Sequence, residues 1–244
     1  MPNRKILKVR DKTDGYYKKV DKIFDLPFRI LINGKSQLSG KTTIILNLLL
    51  RNSFYRNLFD GSNIFIVSNN RLDNKLKILM EQKSISKTNF MKYDEEELEI
   101  LYDQLEEEFM DEVNEGMKPS ARLIIFDDVA YSGSLKDKTA GILSKIVMNG
   151  RHANISSIFT SQKFSLVSTG IRTNVTGAIL FNTSQKELEL IADDFNYLEN
   201  KKDFIKMFRK ATVGKNKFLV VNFSNDRNEM YLDSEFKPIT QGSD

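Results

Sequence analysis

The chain contains no cysteine and only one histidine in 244 residues, and it has no long apolar run. Without cysteine it can form neither disulfides nor thiolate metal sites, and His152 alone cannot supply a multi-histidine metal site. No segment approaches the length of a membrane-spanning helix, and the basic N-terminus lacks the apolar stretch of a signal peptide. We therefore expect a chain without a membrane span that stays in the compartment where it is made.

The rest of the composition is typical of a globular domain. Hydrophobic residues make up 40% of the chain and charged residues 29%, and the formal net charge is +4. A chain of this length can bury the core of one sizeable α/β domain. The modest positive charge permits a polyanionic partner but does not require one.

Apolar runs typical of buried strands alternate with segments of helical periodicity. The predicted strands lie at 28–33, 63–68, 122–128, 156–160, 177–181 and 218–223. The predicted helices lie at 43–50, 72–82, 94–116 and 137–149, with more helix within 185–211. This alternation predicts an α/β fold in which a mostly parallel sheet has helices on both faces. We assign a basic N-terminal lead-in to residues 1–25, the main domain to 26–225 and a C-terminal tail to 226–244.

The stretch LINGKSQLSGKTT, residues 31–43, contains the pattern Gly-Lys-Ser/Thr twice. A phosphate-binding loop must follow a buried strand, cross a turn and open a helix whose first N–H groups face the phosphates. The first copy follows the strand directly, which leaves no residues for the loop. The second copy has a loop before it and an apolar helix after it, so we assign Lys41 to phosphate and Thr42 to magnesium. The predicted nucleotide-binding residues are Gly34, Ser36, Gln37, Leu38, Ser39, Gly40, Lys41, Thr42 and Thr43.

The loop departs from the usual motif in its spacing. Five residues separate Gly34 from Gly40, one more than in G-x-x-x-x-G-K-[ST], so that Lys35 occupies the first glycine position in strict register. Either the loop carries an extra residue, or Gly34 turns the chain one position early. The alternative is an ordinary strand–turn–helix that contains a chance Gly-Lys-Thr, and the remaining motifs must decide between the two.

Two carboxylates end the apolar strand at 122–128. Phosphoryl transfer depends on charge neutralisation and positioning, and a carboxylate at the end of a neighbouring buried strand can support the magnesium ion. We assign this role to Asp127 and expect Asp128 to orient and polarise the attacking water. Gln162 follows the next predicted strand, so it would lie at the same sheet edge and sense the γ-phosphate and the water. The alternatives are acids that cap a turn and an ordinary polar residue at a strand end.

Residues 148–181 read MNGRHANISSIFTSQKFSLVSTGIRTNVTGAILF, and this segment resembles the FtsK–HerA superfamily of DNA-pumping ATPases. Members have an arginine before a strand, a glutamine at its end, and an Ile-Arg/Lys-x-Asn segment before a further strand. These features correspond here to Arg151, Gln162, 171–174 and 178–181. The Gly-Arg-His triplet and the small size are most similar to the genome-packaging branch found in poxviruses, other large DNA viruses and virophages. With the nucleotide motifs, the resemblance covers roughly residues 28–182, and it departs from the family in the stretched loop and in Asp128, where many relatives carry glutamate.

The resemblance implies a RecA-like ASCE P-loop NTPase core that hydrolyses ATP with Mg²⁺. It also implies a homo-oligomeric ring, a pentamer or hexamer, with double-stranded DNA in its pore and nucleotide between subunits. An arginine from one subunit would complete the site of the next in trans. Arg151 is the first candidate and Arg172 the second, and the alternative for each is a structural arginine. Such a motor would also contact capsid proteins, work in the host cytoplasm or viral factory, and can be associated with the virion.

The DNA contacts of such a motor are sequence-nonspecific, because pore loops grip the phosphate backbone. One candidate is the polar loop 132–138, and another is the basic stretch 201–217, in which Phe204 and Phe208 lie among lysines and arginines. The alternative for the second is an amphipathic helix with a solvated basic face. Two other functions stay open: a cellular or plasmid DNA-pumping ATPase of the same superfamily, and a nucleotide-binding assembly or scaffold protein without sustained turnover.

Overall fold

The structure, a computed structural model, describes residues 22–35, 39–70, 73–129 and 141–239. Its strands are β1 (Arg29–Asn33), β2 (Ile64–Ser68), β3 (Phe90–Met91), β4 (Arg122–Asp127), β5 (Ile155–Ser161), β6 (Gly177–Phe181), β7 (Phe218–Asn222) and β8 (Tyr231–Leu232). Its α-helices are α1 (Lys41–Leu50), α2 (Asn74–Lys83), α3 (Glu95–Asn114), α4 (Ile142–Asn149), α5 (Thr169–Asn174), α6 (Gln185–Phe195) and α7 (Lys201–Ala211). Strands and helices therefore alternate along most of the chain, as its apolar periodicity predicts.

The described strands form one eight-stranded sheet in the order β3-β2-β4-β5-β1-β6-β7-β8. All pairs from β3 to β6 are parallel, while β7 runs antiparallel to both β6 and β8. Parallel neighbours need crossover connections, and the helices supply them. β5 lies between β1, which leads into the predicted phosphate loop, and β4, which ends at Asp127. This is the strand order of an ASCE core, and it confirms the predicted fold class.

Alternate residues of each central strand point to opposite faces of the sheet, as the period of two requires. In β1, Ile30 and Ile32 belong to the core that includes α1 and α2, whereas Leu31 belongs to the core beneath α3–α7. Both faces are thus covered by helices. For this reason β1, β2, β4 and β6 are apolar along most of their length instead of alternating between apolar and polar residues, and the serines and the threonine of β5 are buried as well.

Most helix starts can be read from the sequence as capping residues. A side chain accepts a first-turn N–H group at the start of α2, α3, α5, α6 and α7, and these caps are Asp73, Asp94, Ser168, Ser184 and Asn200. The sequence pattern does not predict β3, α5 or β8, because two to six residues are too few for a hydrophobic period to show. The predicted helix 137–149 corresponds to α4, and residues 137–140 lie outside the described residues.

Packing continues beyond the limits drawn for the main domain. Phe24, in the predicted lead-in, is buried in the core with α1, and β8, in the predicted tail, pairs with β7. None of the helices that the structure describes is long and apolar enough to cross a membrane. The consequence for the site is positional: β1, β4 and β5 are neighbours and parallel, so their carboxyl ends meet at one edge.

Candidate nucleotide site

The loop after β1 is built around Gly34. A Cβ at this position would lie 2.6 Å from Ser39 Cβ and 2.9 Å from Phe181 Cβ, so no larger side chain fits without displacing its neighbours. The Ser39 hydroxyl donates a hydrogen bond to the Lys35 carbonyl at 2.7 Å. This contact brings the end of the loop close to its start, beside Gly34. A glycine at position 34 therefore leaves room for the side chains of Ser39 and Phe181, and it lies one residue farther from Gly40 than the first glycine of the usual motif.

α1 begins at Lys41, directly after Gly40, whose φ of 77° lies in the left-handed region that favours glycine. The N-cap residue, Gly40, has no side chain that could accept a first-turn N–H group, so these N–H groups are suited to an anion. Lys41 Nζ donates to the Gly34 carbonyl at 2.8 Å, which places the ammonium at the start of the loop. Thr42 follows in the first helical turn and is half-buried. Residues 36–38, which are also predicted to bind nucleotide, lie outside the described residues.

Asp127 ends β4 and is only 6% exposed. Its Oδ1 accepts a hydrogen bond from Thr160 Oγ1 in β5 at 3.0 Å. Burial raises the pKa of Asp127 from its ordinary 3.8 to about 6, the charges of Asp128 and Asp73 act in the same direction, and the Thr160 hydroxyl and Lys41 ammonium oppose them. A carboxylate whose charged form is disfavoured in this way gains much from a bound cation.

Asp128 turns the chain immediately after β4. Its φ of 52° is left-handed, a conformation that aspartate tolerates better than most residues. Its backbone N–H donates to Thr160 Oγ1 at 2.8 Å, and its Oδ2 accepts from Gln162 Nε2 at 2.5 Å. The other carboxylate oxygen, Oδ1, is buried and has no hydrogen-bond partner among the residues that the structure describes. The turn thus keeps one carboxylate oxygen available for a further donor such as a water molecule.

Positive and negative side chains meet at this edge of the sheet. Burial lowers the pKa of Lys41, and the charges of Asp128 and Asp127 act against that change. The structure thus brings together Lys41, both carboxylates and Gln162, while the roles assigned to them remain predictions. Their chemistry fits a magnesium nucleotide: an ammonium and an uncapped helix start for phosphates, a buried carboxylate for the metal, and an unpaired carboxylate oxygen for water.

Three further residues of the site have no predicted role. Thr160 Oγ1 donates to the Asp127 carboxylate and accepts from the Asp128 backbone N–H, and no local signal singles it out, because three serines share β5 with it. Asp73 caps α2 and its charge contributes to the raised pKa of Asp127. Lys75, in the first turn of α2, donates to Thr43 Oγ1 at 2.7 Å. Only the strand order reveals the last two, because β2 lies next to β4 and its loop reaches the same edge.

Arg151 lies far from the phosphate loop of its own chain. It belongs to a short 3₁₀ helix, Gly150–Ala153, that precedes β5, and its exposed side chain donates from Nε to His152 Nε2 at 3.3 Å. Gln162 follows the opposite end of β5. The 7 residues of this strand separate the two side chains by roughly 20 Å, at about 3.3 Å per residue.

Arg172, the second candidate for a trans-acting arginine, is held within its own chain. Its side chain is 11% exposed, and Nη1 lies 2.7 Å from Asp194 Oδ2. Its guanidinium carbon lies 5.0 Å from the centre of the Phe164 ring, and Nη2 donates to Thr169 Oγ1 at 3.2 Å. These contacts use much of the guanidinium, so a second role at a neighbour's site would require them to break.

The basic stretch 201–217 contains α7, which is amphipathic. Phe204 and Phe208 are buried against the core, and Lys201 is paired with Asp193 at 2.6 Å. The other basic side chains of α7 are exposed. The aromatic residues are therefore core residues and cannot stack on DNA bases, while contact of the basic face with DNA remains a prediction. The loop 132–138 lies outside the described residues.

A glycine-bounded loop that opens a helix at Lys41, beside paired carboxylates in the ASCE strand order, defines a P-loop nucleoside triphosphatase. The sequence profile of the Poxvirus A32 protein family matches residues 17–241 of this chain. The chain belongs to that family, which confirms the relationship inferred from residues 148–181. No curated protein sequence matches the chain.

Solved structures share the fold. The genome packaging NTPase B204 from Sulfolobus turreted icosahedral virus 2, in complex with ATP-γS, has a TM-score of 0.55 at 14% identity and covers 81% of this chain and 92% of that chain. B204 of Sulfolobus turreted icosahedral virus, a DNA-packaging ATPase, matches with a TM-score of 0.54 at 15% identity. The match covers 82% of the present chain and 94% of B204. At this identity the likeness concerns the fold alone, and it agrees with the fold class predicted from the sequence.

Proposed function

We propose that this chain is an ATP-hydrolysing motor that translocates double-stranded DNA and packages a viral genome into a capsid. The observation that carries the proposal is the meeting of Lys41, the two carboxylates and Gln162 at one sheet edge. Membership of the Poxvirus A32 protein family and the likeness to B204, a DNA-packaging ATPase, support the same function.

The phosphate end of the site consists of Lys41, Thr42 and Asp127. Lys41 neutralises the β- and γ-phosphates, together with the uncapped N–H groups of α1. The hydroxyl of Thr42 and the carboxylate of Asp127 would hold Mg²⁺. When bound, this ion offsets the charge that develops on the transferred phosphoryl group. The raised pKa of Asp127 is consistent with that role, because a nearby cation stabilises the ionised form.

The water end of the site consists of Asp128 and Gln162. Asp128 Oδ1, which lacks a partner among the described residues, orients the attacking water and accepts its proton. Gln162 donates to Oδ2 of the same carboxylate and so fixes its orientation. The left-handed turn at Asp128 adds rigidity, since both its backbone N–H and its side chain are held by residues at the end of β5.

The position of Arg151 supports the proposed ring. The strand β5 separates it from Gln162 by roughly 20 Å, so a γ-phosphate on which it acts would belong to a neighbouring subunit. A guanidinium is permanently charged and can contact phosphate oxygens bidentately, which suits this role. We infer a closed homo-oligomer, a pentamer or hexamer, with nucleotide between subunits, DNA in the pore and capsid proteins as further partners in the viral factory.

The test is the ATPase activity of the purified protein with and without long double-stranded DNA of unrelated sequences. Each DNA should raise turnover, and the stimulation should decrease steeply with salt, because phosphate contacts release counterions whatever the bases are. Lys41→Ala provides the control for contaminating ATPases. A strong preference for one short sequence at physiological salt would indicate a site-specific binder. Turnover that no DNA changes would contradict the motor and leave an ATPase without a DNA track.

A further inference from the structure

The strand order determines in which direction a bound nucleotide must extend. The groups assigned to the γ-phosphate and its attacking water follow β4 and β5, and these strands lie on one side of β1. Lys41 and the start of α1 hold the middle of the phosphate chain. The base is at the opposite end of the nucleotide from the γ-phosphate. It must therefore extend away from the carboxylates, toward the other side of β1, where β6 and β7 lie.

The turn between α7 and β7, residues 213–217, lies on that side of β1. β6 pairs with β1, and Phe218 at the start of β7 pairs with Phe181 at the end of β6, so the turn stands at the same edge as the phosphate loop. A Cβ built on Gly40 would lie 4.0 Å from Asn216 Oδ1. The turn consequently reaches the beginning of α1, with which the phosphates are expected to interact.

The backbone of the 213–217 turn has a defined shape. Gly214 has a φ of 104° and Asn216 a φ of 61°, so two left-handed residues bend it within one short segment. All five residues are exposed. Val213 is 72% exposed, more than any other exposed large hydrophobic residue that the structure describes. Single exposed apolar side chains are common on protein surfaces and do not by themselves indicate a binding site. Val213 is of interest because it lies beside the phosphate loop.

Two side chains of this turn match the chemistry of a purine base. The apolar Val213 can cover a ring face. The amide of Asn216 offers one donor and one acceptor group, and adenine presents the complementary pair, an amino donor beside a ring-nitrogen acceptor. On the edge that carries N7, adenine offers the N6 amino donor beside the N7 acceptor whereas guanine offers two acceptors, O6 and N7, so an amide placed at that edge pairs through both of its groups with adenine and through only one with guanine.

We propose that the 213–217 turn binds the adenine base of ATP, with Val213 against the ring face and the Asn216 amide hydrogen-bonded to the ring edge. The turn is thus the specificity-determining element that selects ATP over GTP. This inference rests on the proposed function only in requiring a nucleoside triphosphate at Lys41, and it does not depend on DNA translocation or on ring formation.

The experiment measures binding by calorimetry to the full chain in the presence of Mg²⁺. The probes are AMPPNP and GMPPNP, which are non-hydrolysable analogues of ATP and GTP, and inorganic triphosphate, which has no base. The variants are Asn216→Gly, which removes the amide while keeping a residue that favours positive φ, and Val213→Ser. Ile100→Ser is the matched control, because Ile100 is 69% exposed on α3, on the far side of the sheet order from the turn.

Asn216→Gly should weaken AMPPNP binding about 5- to 10-fold, the usual effect of one or two lost hydrogen bonds, and leave triphosphate binding unchanged. The preference of the wild-type chain for AMPPNP over GMPPNP should narrow by the same factor. Val213→Ser should weaken both nucleotides a few-fold, and Ile100→Ser should weaken neither.

Unchanged AMPPNP binding in both variants, with triphosphate still bound, would overturn the inference and leave the proposed function intact. Equal weakening of AMPPNP and triphosphate would also overturn it, because the turn would then act on the phosphates or on the loop. If none of the three probes bound the wild-type chain, or if Lys41→Ala weakened none of them, the proposed function itself would fail.

Discussion

Asp127→Asn should stabilise the nucleotide-free protein while weakening its binding of magnesium nucleotide. The carboxylate is buried, and its pKa is raised from 3.8 to about 6 chiefly because burial disfavours the charged form. An asparagine keeps the shape of the side chain and can still accept the Thr160 hydrogen bond, yet carries no charge. The ionised form of Asp127 therefore destabilises the nucleotide-free folded chain, and a bound cation would offset this destabilisation.

The size and sign follow from the two pKa values. The folded chain binds more protons at Asp127 than the unfolded chain does between about pH 4 and pH 6, so the free energy of unfolding falls as pH rises through this window. For a pKa raised from 3.8 to about 6, the full decrease in the free energy of unfolding is roughly 3 kcal/mol at neutral pH. The side-chain amide of the Asp127→Asn variant does not titrate. The free energy of unfolding of the variant, relative to that of the wild type, should therefore increase by roughly 1.5 kcal/mol between pH 5 and pH 8.

The assay is urea unfolding of both proteins without nucleotide across that pH range. The free energies of unfolding are compared where the two proteins have equal m-values, because a shifted midpoint then reports a change in stability. Glu107→Gln, at an exposed position of α3, controls for the loss of one negative charge. With Mg²⁺ and AMPPNP added, the wild type should gain stability and the variant much less, because its metal ligand is gone. A difference between variant and wild type that stayed constant with pH, or shrank as pH rose, would refute the reasoning.

Four further substitutions test the remaining assignments. Lys41→Ala should abolish nucleotide binding or turnover, whereas Lys35→Ala, whose side chain is exposed, should be much milder; comparable losses would mean that the wrong Gly-Lys pair was chosen. Asp128→Asn should still bind ATP but lose about 10²- to 10⁴-fold in turnover, since an amide does not accept the proton of the water; normal turnover would remove this role. Arg151→Ala should bind ATP normally and lose about 10³-fold in turnover, and mixing it with Lys41→Ala subunits should restore part of the activity. Mixed rings without restored activity would return Arg151 to a structural role.

Much of the fold was predictable because its signals are local. Continuous apolar runs of strand length, separated by helical segments, indicate a parallel sheet covered on both faces, and the central strands lie within a residue or two of their predicted limits. The short elements β3, α5 and β8 have no comparable signal. Their formation depends on neighbours supplied by the rest of the fold, as when β8 pairs with β7.

By itself the sequence determined the strand–loop–helix at Lys41 and the acid pair that ends β4. Each of these features is contained within a few consecutive residues, and its chemistry follows from residue type and order. The sequence also showed that Gly34 and Gly40 stand one residue farther apart than usual. It left open which residue fills the first loop position, because that depends on what lies close to the backbone there.

Only the tertiary structure decided which distant side chains meet. Thr160 stands 33 positions from Asp127, and it reaches the carboxylate because β4 and β5 pair in one register. A slip of one residue would turn its hydroxyl to the other face. The same holds for Arg172, which an ion pair with Asp194 keeps within its chain, and for Asn216, which the pairing of β6 with β7 brings to the start of α1. These contacts arise from strand order, register and the packing of two cores, and no local pattern of residues contains that information.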